Sequence, residues 1–183
     1  MGIAIGNAIG VPFGGIGAGG GYNIVNAETT NYISGLTTPL SDDRIELIDT
    51  KVTELKTAVG ATSLSDAFCF LYLLANEGSE VWKKNLVKDA HHIIQHGGTQ
   101  TEDEGWQGNG VDAYLDTNFN PSTEGGTVYT LNNASLAIYS MTDVAETKVD
   151  IGARTTTTNY ASILSRIATN LSSSRLHSGT HPV

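Results

Sequence analysis

The sequence is short of charge, of cysteine and of basic clusters, and each shortage removes a class of function. Charged side chains make up 16% of the 183 residues, well below the roughly 25% of ordinary soluble domains. Lys and Arg number 10 against 19 Asp and Glu, a formal net charge of −9. Nucleic acid is excluded as a partner, because phosphate binding needs clustered cations, and Lys83, Lys84 and Lys88 are simply spread along one stretch. The single cysteine, Cys69, lies in the apolar run 67–71. One thiol closes no internal disulfide and builds no Cys-based zinc site, so its expected role is that of a small buried hydrophobe. No 18-residue apolar run escapes interruption by glycine, so no membrane span is expected. Residues 1–6 lack the basic start of a secretory leader, and none is expected.

What is present falls into three zones. Residues 1–35 form the first, expected to be a glycine-rich docking arm. No charged side chain precedes Glu28, and nine of the first 21 residues are glycine, a density that makes a helix costly. Yet Ile3, Ile5, Ile9, Val11, Phe13 and Ile16 are too apolar for an ordinary solvated linker. An arm lying in a partner's groove suits this composition; a disordered tail and a lipid-inserting peptide are the alternatives. The stretch Gly15-Ile16-Gly17-Ala18-Gly19-Gly20 matches the dinucleotide-binding glycine pattern. No strand–turn–helix context surrounds it, so a nucleotide site is rejected.

Residues 36–98 are expected to form a helical, oligomerising unit. Ser41 can cap a helix whose first turn holds Asp42 and Asp43, with Leu40 and Ile45 as a hydrophobic staple. Ile45, Ile48, Val52, Leu55 and Val59 follow at spacings of 3, 4, 3 and 4, closed by Gly60. That is an a/d seam of fewer than three heptads, with Asp49, Lys51, Thr53, Glu54 and Lys56 expected on the solvated face. A lone helix of this length is marginal in water. The seam must be covered by neighbouring helices of its own chain or by other copies; Ile-rich a/d positions point to a homo-oligomer, a trimer first. A second helix is expected from about Leu64 to Ala75 behind a Ser63 cap, apolar nearly all round. A third is expected from a Ser79 cap through Trp82, Leu86, Ala90 and Ile93 to Gly97.

Residues 99–183 change period. Short runs at 111–115, 128–131 and 136–139 are separated by the turn formers Gly108-Asn109-Gly110, Asn120-Pro121-Ser122, Gly125-Gly126 and Asn132-Asn133. This spacing predicts antiparallel strands of a β-sandwich or barrel, and the fold class expected for the whole chain is α+β.

Candidate chemistry is thin. Glu102, Asp103 and Glu104, with Asp112, Asp116 and Glu124, invite comparison with a glycosidase carboxylate pair or a calcium site. The first three are a charge run in a loop, for which solvation is the expected role. His92 and His96 stand four apart on the expected third helix, near His91. The spacing suits a metal, but no third ligand accompanies it, and imidazolium near a helix C-terminus is favourable in itself. No nucleophile-elbow serine pattern occurs. No enzyme, cofactor or metal is therefore expected.

The run Gly105-Trp106-Gln107-Gly108-Asn109-Gly110, followed by Tyr114-Leu115-Asp116-Thr117 and Phe119-Asn120-Pro121, resembles the opening strands of concanavalin A-like, LamG-type jelly-roll modules. Residues 133–139 look like the next strand and 149–153 like a later one. The upstream Leu64-Ser65-Asp66-Ala67-Phe68, Leu74-Ala75-Asn76-Glu77 and Asn85-Leu86-Val87-Lys88 are similar to a helical segment preceding such modules in virion proteins of phages of Bacteroidetes-type bacteria, crAss-like phages included. The resemblance implies a virion structural protein: a head (capsid) fibre held to other virion proteins by its arm, or else a tail fibre or host-attachment protein. It also implies a jelly roll and a host-surface glycan as a further partner; a carbohydrate-binding module is the alternative. No sugar-binding residue carries over. Only about 80 residues follow Gly105, too few for a complete module, so the β domain is either completed by other subunits or continued elsewhere.

Overall fold

The computed structural model describes residues 21–130, 134–141, 149–154, 160–168 and 171–175. The arm positions Ile3, Ile5, Ile9, Val11, Phe13 and Ile16 lie outside them. Helix α1 spans Ala27–Ile33 and helix α2 spans Asp42–Val59. α2 is bounded where its caps require. Ser41 Oγ accepts the Arg44 N–H at 3.3 Å, Asp42 and Asp43 occupy the first turn, and Gly60 ends the helix at φ 66°.

The apolar stripe of α2 faces its own chain. Val52 and Ile48 are fully buried in a cluster with Tyr32, Leu40, Leu64, Phe68, Leu71, Val81, Leu86 and Val87. Ile45 and Leu55 pack against the same cluster, while Val59 stays 37% exposed. Of the two covers left open for the oligomerisation seam Ile45, Ile48, Val52, Leu55 and Val59, the one seen is its own chain, which packs on all but the partly exposed Val59. Heptad spacing identifies a stripe that must be covered, not what covers it.

The expected second and third helices do not form. After Ser63 the chain makes one 3₁₀ turn, Leu64–Asp66, complete with a reciprocal Ser63/Asp66 capping box. It then leaves the helix, because an asparagine satisfies the backbone in another way. Asn85 is buried; its Oδ1 accepts the N–H groups of Leu71 and Val87, both at 3.1 Å. Its Nδ2 donates to the carbonyls of Ala90 and Cys69, at 3.0 and 3.4 Å. The Leu86 N–H donates to the Leu71 carbonyl at 2.9 Å. A side chain that meets four main-chain groups replaces helical bonding for both segments. Released from a helix, the run from Phe68 supplies both cores: Phe68 and Leu71 enter the α2 cluster, and Tyr72 enters a second one with Trp82 and Ile93. The segment after Ser79 likewise makes only the 3₁₀ turn Val81–Lys83. His91, at φ 58°, takes a left-handed conformation that no helix interior accommodates.

Four short strands follow: β1 (Ile94–His96), β2 (Thr99–Thr101), β3 (Gly105–Gln107) and β4 (Tyr114–Asp116). They nest. β2 and β3 pair antiparallel inside the antiparallel pair β1–β4, whose register sets His96 opposite Tyr114 and Gln95 opposite Leu115. Trp106 and Leu115 turn inward onto Tyr72, Trp82 and Ile93. The junction between β1 and β2 requires glycine: Gly98 has φ +71°, and a Cβ there would lie 2.5 Å from the Trp106 ring.

A one-turn helix α3 (Pro121–Glu124) is capped by Asn120. The expected strand at 128–131 is not seen over its described residues: the Val128 and Tyr129 N–H groups both donate to the Gly125 carbonyl, turning the chain back on itself. In the expected 133–139 strand, the described residues hold only an isolated bridge at Leu136. Strands β5 (Ile151–Arg154), β6 (Tyr160–Ala168) and β7 (Leu171–Arg175) form an antiparallel sheet in the order β5-β6-β7. The expected strand at 149–153 is therefore present as β5. The chain is α+β, with helices and three small antiparallel sheets of two, two and three strands among the described residues.

Candidate attachment site at the root of the N-terminal segment

The described chain begins against α2, held by a buried carboxylate. Asp49 is fully buried. Its Oδ2 accepts the Val25 N–H at 2.9 Å and the Tyr22 hydroxyl at 3.1 Å; its Oδ1 accepts the Asn26 N–H at 3.1 Å and the Asn26 Nδ2 at 2.9 Å. The Asn26 amide also donates to the Asp49 carbonyl at 3.0 Å and to the Thr53 hydroxyl at 2.9 Å. Lys56 Nζ closes the network, reaching Asn26 Oδ1 at 3.2 Å and Glu28 Oε2 at 3.3 Å. Glu28 Oε1 in turn accepts the Leu64 N–H at 3.0 Å.

Asp49, Thr53 and Lys56 are spaced i, i+4, i+7, so they form one stripe of α2 beside its apolar one. That stripe was expected to be solvated. Instead it grips residues 22–28 and ties α1 to α2. Burial pushes the Asp49 carboxyl up, but the Val25 N–H and the Asn26 amide and N–H hold it below the ordinary carboxyl value. Burial also acts upward on Glu28, and is outweighed by the Leu64 N–H, its own main chain and Lys56. Both groups are therefore carboxylates at neutral pH. One sequence signal marks Asp49: four residues after Ile45, it lies only about 40° around the helix from the edge of the apolar seam, on its border.

The loop 77–80 fastens the entry to α2 from the other side. Glu80 accepts the Thr37 N–H and hydroxyl at 2.9 and 2.7 Å, and Glu77 accepts the Ser41 N–H at 2.6 Å. Lys84 Nζ donates to the Ser34 carbonyl at 2.6 Å, beyond the end of α1.

The residues weighed for chemistry are dispersed. His91 faces the Asn118 carbonyl at 3.3 Å and Glu124 at 3.7 Å, and packs edge-on against Phe119. His92 Nδ1 accepts the Asn85 N–H at 3.2 Å, which leaves Nε2 to donate to Asp89 at 2.9 Å. His96, on β1, stacks on Tyr114 with centroids 4.3 Å apart. The shared helix face expected for His92 and His96 does not exist, since that helix is absent. Asp103 pairs with Arg44, Asp112 accepts from Asn109 and Asp116 from the Asn118 N–H, and Glu124 accepts the Asn120 N–H. Among the described residues no group of three or more His, Cys, Asp and Glu is placed to hold a metal ion, and no helix is long and apolar enough to cross a membrane. The outer face of the β1–β4 pair carries Ile94, His96, Tyr114 and Asp116, with Ile94 and Tyr114 about half exposed. Comparison of the chain with protein-family models, with curated proteins and with solved structures finds no match.

Proposed function

We propose that the chain is a non-enzymatic structural component of a bacteriophage particle, a head fibre held by its N-terminal arm and projecting a jelly-roll-like β domain. The observation that carries this reading is the pairing of an uncharged, apolar and glycine-rich stretch with a rigid root. Residues 1–20 carry no charge, and the chain that follows them is gripped at residues 22–28 by Asp49, Thr53 and Lys56. An arm transmits force to a body only if its root is fixed, and a buried, fully hydrogen-bonded carboxylate fixes it. The resemblance of residues 105–122 to the opening of a LamG-type module supports the outward β domain. The test is immunogold labelling of purified particles from a phage culture encoding the chain, with antibody against residues 99–130. Gold on particle heads is expected; gold on tails would move the reading to a tail fibre. Particles free of both label and chain would overturn it.

One observation favours a second reading, a carbohydrate-binding module: the exposed His96–Tyr114 stack beside Asp116. Aromatic surfaces with adjacent polar groups suit sugar rings. Binding on a glycan array that is lost in Tyr114→Ala would establish it.

A further inference from the structure

The arm and the last sheet have complementary surfaces. Along residues 2–14 every even position is Gly, Ala or Pro (Gly2, Ala4, Gly6, Ala8, Gly10, Pro12, Gly14). Every odd position from 3 to 13 except Asn7 is Ile, Val or Phe. A period of two places all the bulk on one face of an extended strand and leaves the other face bare. The following residues 14–21 contain six glycines, a connector able to span up to about 26 Å before the grip at Tyr22.

Strand β5 has β6 on one side and, among the described residues, no strand on the other. Its alternation is of the same kind. Ile151 and Ala153 share a face with Ile163 and Ala161, their partners on β6, and all four are only half-buried. The opposite face of β5 carries Gly152, where a Cβ would lie 2.8 Å from the Ala161 carbonyl oxygen. Val149, just before the strand, is 56% exposed. The other edge, β7, is serine-rich, with Ser172 and Ser174 exposed, as befits an edge that stays in water.

We propose that residues 3–13 of one copy add to β5 of a second copy as a donated strand. The bulky row Ile3, Ile5, Ile9, Val11 and Phe13 extends the apolar face begun by Ile151 and Ala153. The glycine–alanine row lies beside Gly152, and main-chain hydrogen bonds supply the rest of the affinity. The α2 seam is covered within its own chain, so association between copies needs another contact, and the chain contains both a donor and an acceptor. A donor and an acceptor on different surfaces make a head-to-tail interface, which closes into a ring when the rotation allows. The inference rests on the docking-arm reading and names the first surface that the arm engages.

The test is hydrogen exchange of the full chain together with its mass by light scattering, in the unchanged protein, in Ile5→Asp/Ile9→Asp and in an Ala18→Asp control. An oligomer is expected in the unchanged protein and the control. Their β5 amides pointing away from β6 should exchange at least about tenfold more slowly than in Ile5→Asp/Ile9→Asp, which should be monomeric. A monomer with the same slow amides would show the arm lying on its own sheet and would overturn exchange between copies. Fast β5 amides in the unchanged protein would overturn the β5 assignment while leaving the arm free to dock on another particle protein. Particle labelling, in contrast, bears on the docking reading alone.

Discussion

The Asn26 side chain donates to both the carboxylate and the main-chain carbonyl of Asp49, at 2.9 and 3.0 Å, across 23 residues of sequence. This contact converts a helix flank into a clamp. Asp49→Ala removes the acceptor of four donors, the buried Asn26 N–H and side-chain amide and the part-buried Val25 N–H and Tyr22 hydroxyl. Each buried donor left unmatched costs on the order of 1–3 kcal/mol, while water can reach the part-buried pair, so a total loss of about 2–3 kcal/mol is expected after local relaxation. Denaturant unfolding measures it. Limited proteolysis should show cleavage near residues 22–26 rising before the rest of the chain opens, and an Asp49→Ala chain as stable and as resistant as the parent would refute the clamp.

The same group sets an acid limit. Asp49 and Glu28 are both held below ordinary carboxyl values, so the unfolded chain binds their protons at a higher pH than the folded one does. The stability they contribute is complete above the unfolded carboxyl range near pH ~4 and is lost as pH falls through their folded values. Unfolding midpoints should be level in this respect from neutrality to about pH 5 and decline below ~4. In Asp49→Asn that decline should be shallower.

Val52 and Val59 separate the two ways of covering the seam. Val52 is fully buried in its own chain and Val59 is 37% exposed. Val52→Ala should destabilise the chain by about 2 kcal/mol through lost burial and a cavity. Val59→Ala should change stability by less than about 0.5 kcal/mol, and neither should alter the solution mass. A mass change in Val52→Ala with little loss of stability would place the seam between copies.

At the β1–β2 junction, Gly98→Ala forces a methyl into the Trp106 ring and onto the Gln107 carbonyl, 2.7 Å away, at φ +71°. A loss of about 2–3 kcal/mol is expected. Gly110→Ala, at φ +75° with nothing within 4 Å of the added Cβ, should cost only about 1 kcal/mol. The difference between the two isolates the steric part from the conformational one.

How far these features could be read from sequence follows from the range of the forces behind them. Both ends of α2 were legible because Ser41, Asp42, Asp43 and Gly60 act within one turn of where they stand. The Ser63–Asp66 capping box was legible for the same reason, yet what followed was one turn, not a helix. Asn85, nineteen residues beyond Asp66, meets the main chain of Leu71 and diverts it, and nothing near Leu71 announces that. An apolar run such as 67–74 must be buried, but its period does not distinguish a helix from an extended pass through the core. Asp49 reads as solvated because it is charged, although its angular position borders the apolar arc. Helix α1 escaped notice because its seven residues are held by contacts with α2 and the 3₁₀ turn at Leu64, not by a stripe of its own.

Cys69 has a use that its chemistry alone does not suggest. The thiol is buried, and its Sγ lies 3.6 Å from the Gly125 carbonyl, between the core and the turn after α3. A thiol reagent reaches it only when those two regions part. As the sole cysteine of the chain, it is an internal clock. Its labelling rate in the unaltered protein counts openings of the centre of the molecule.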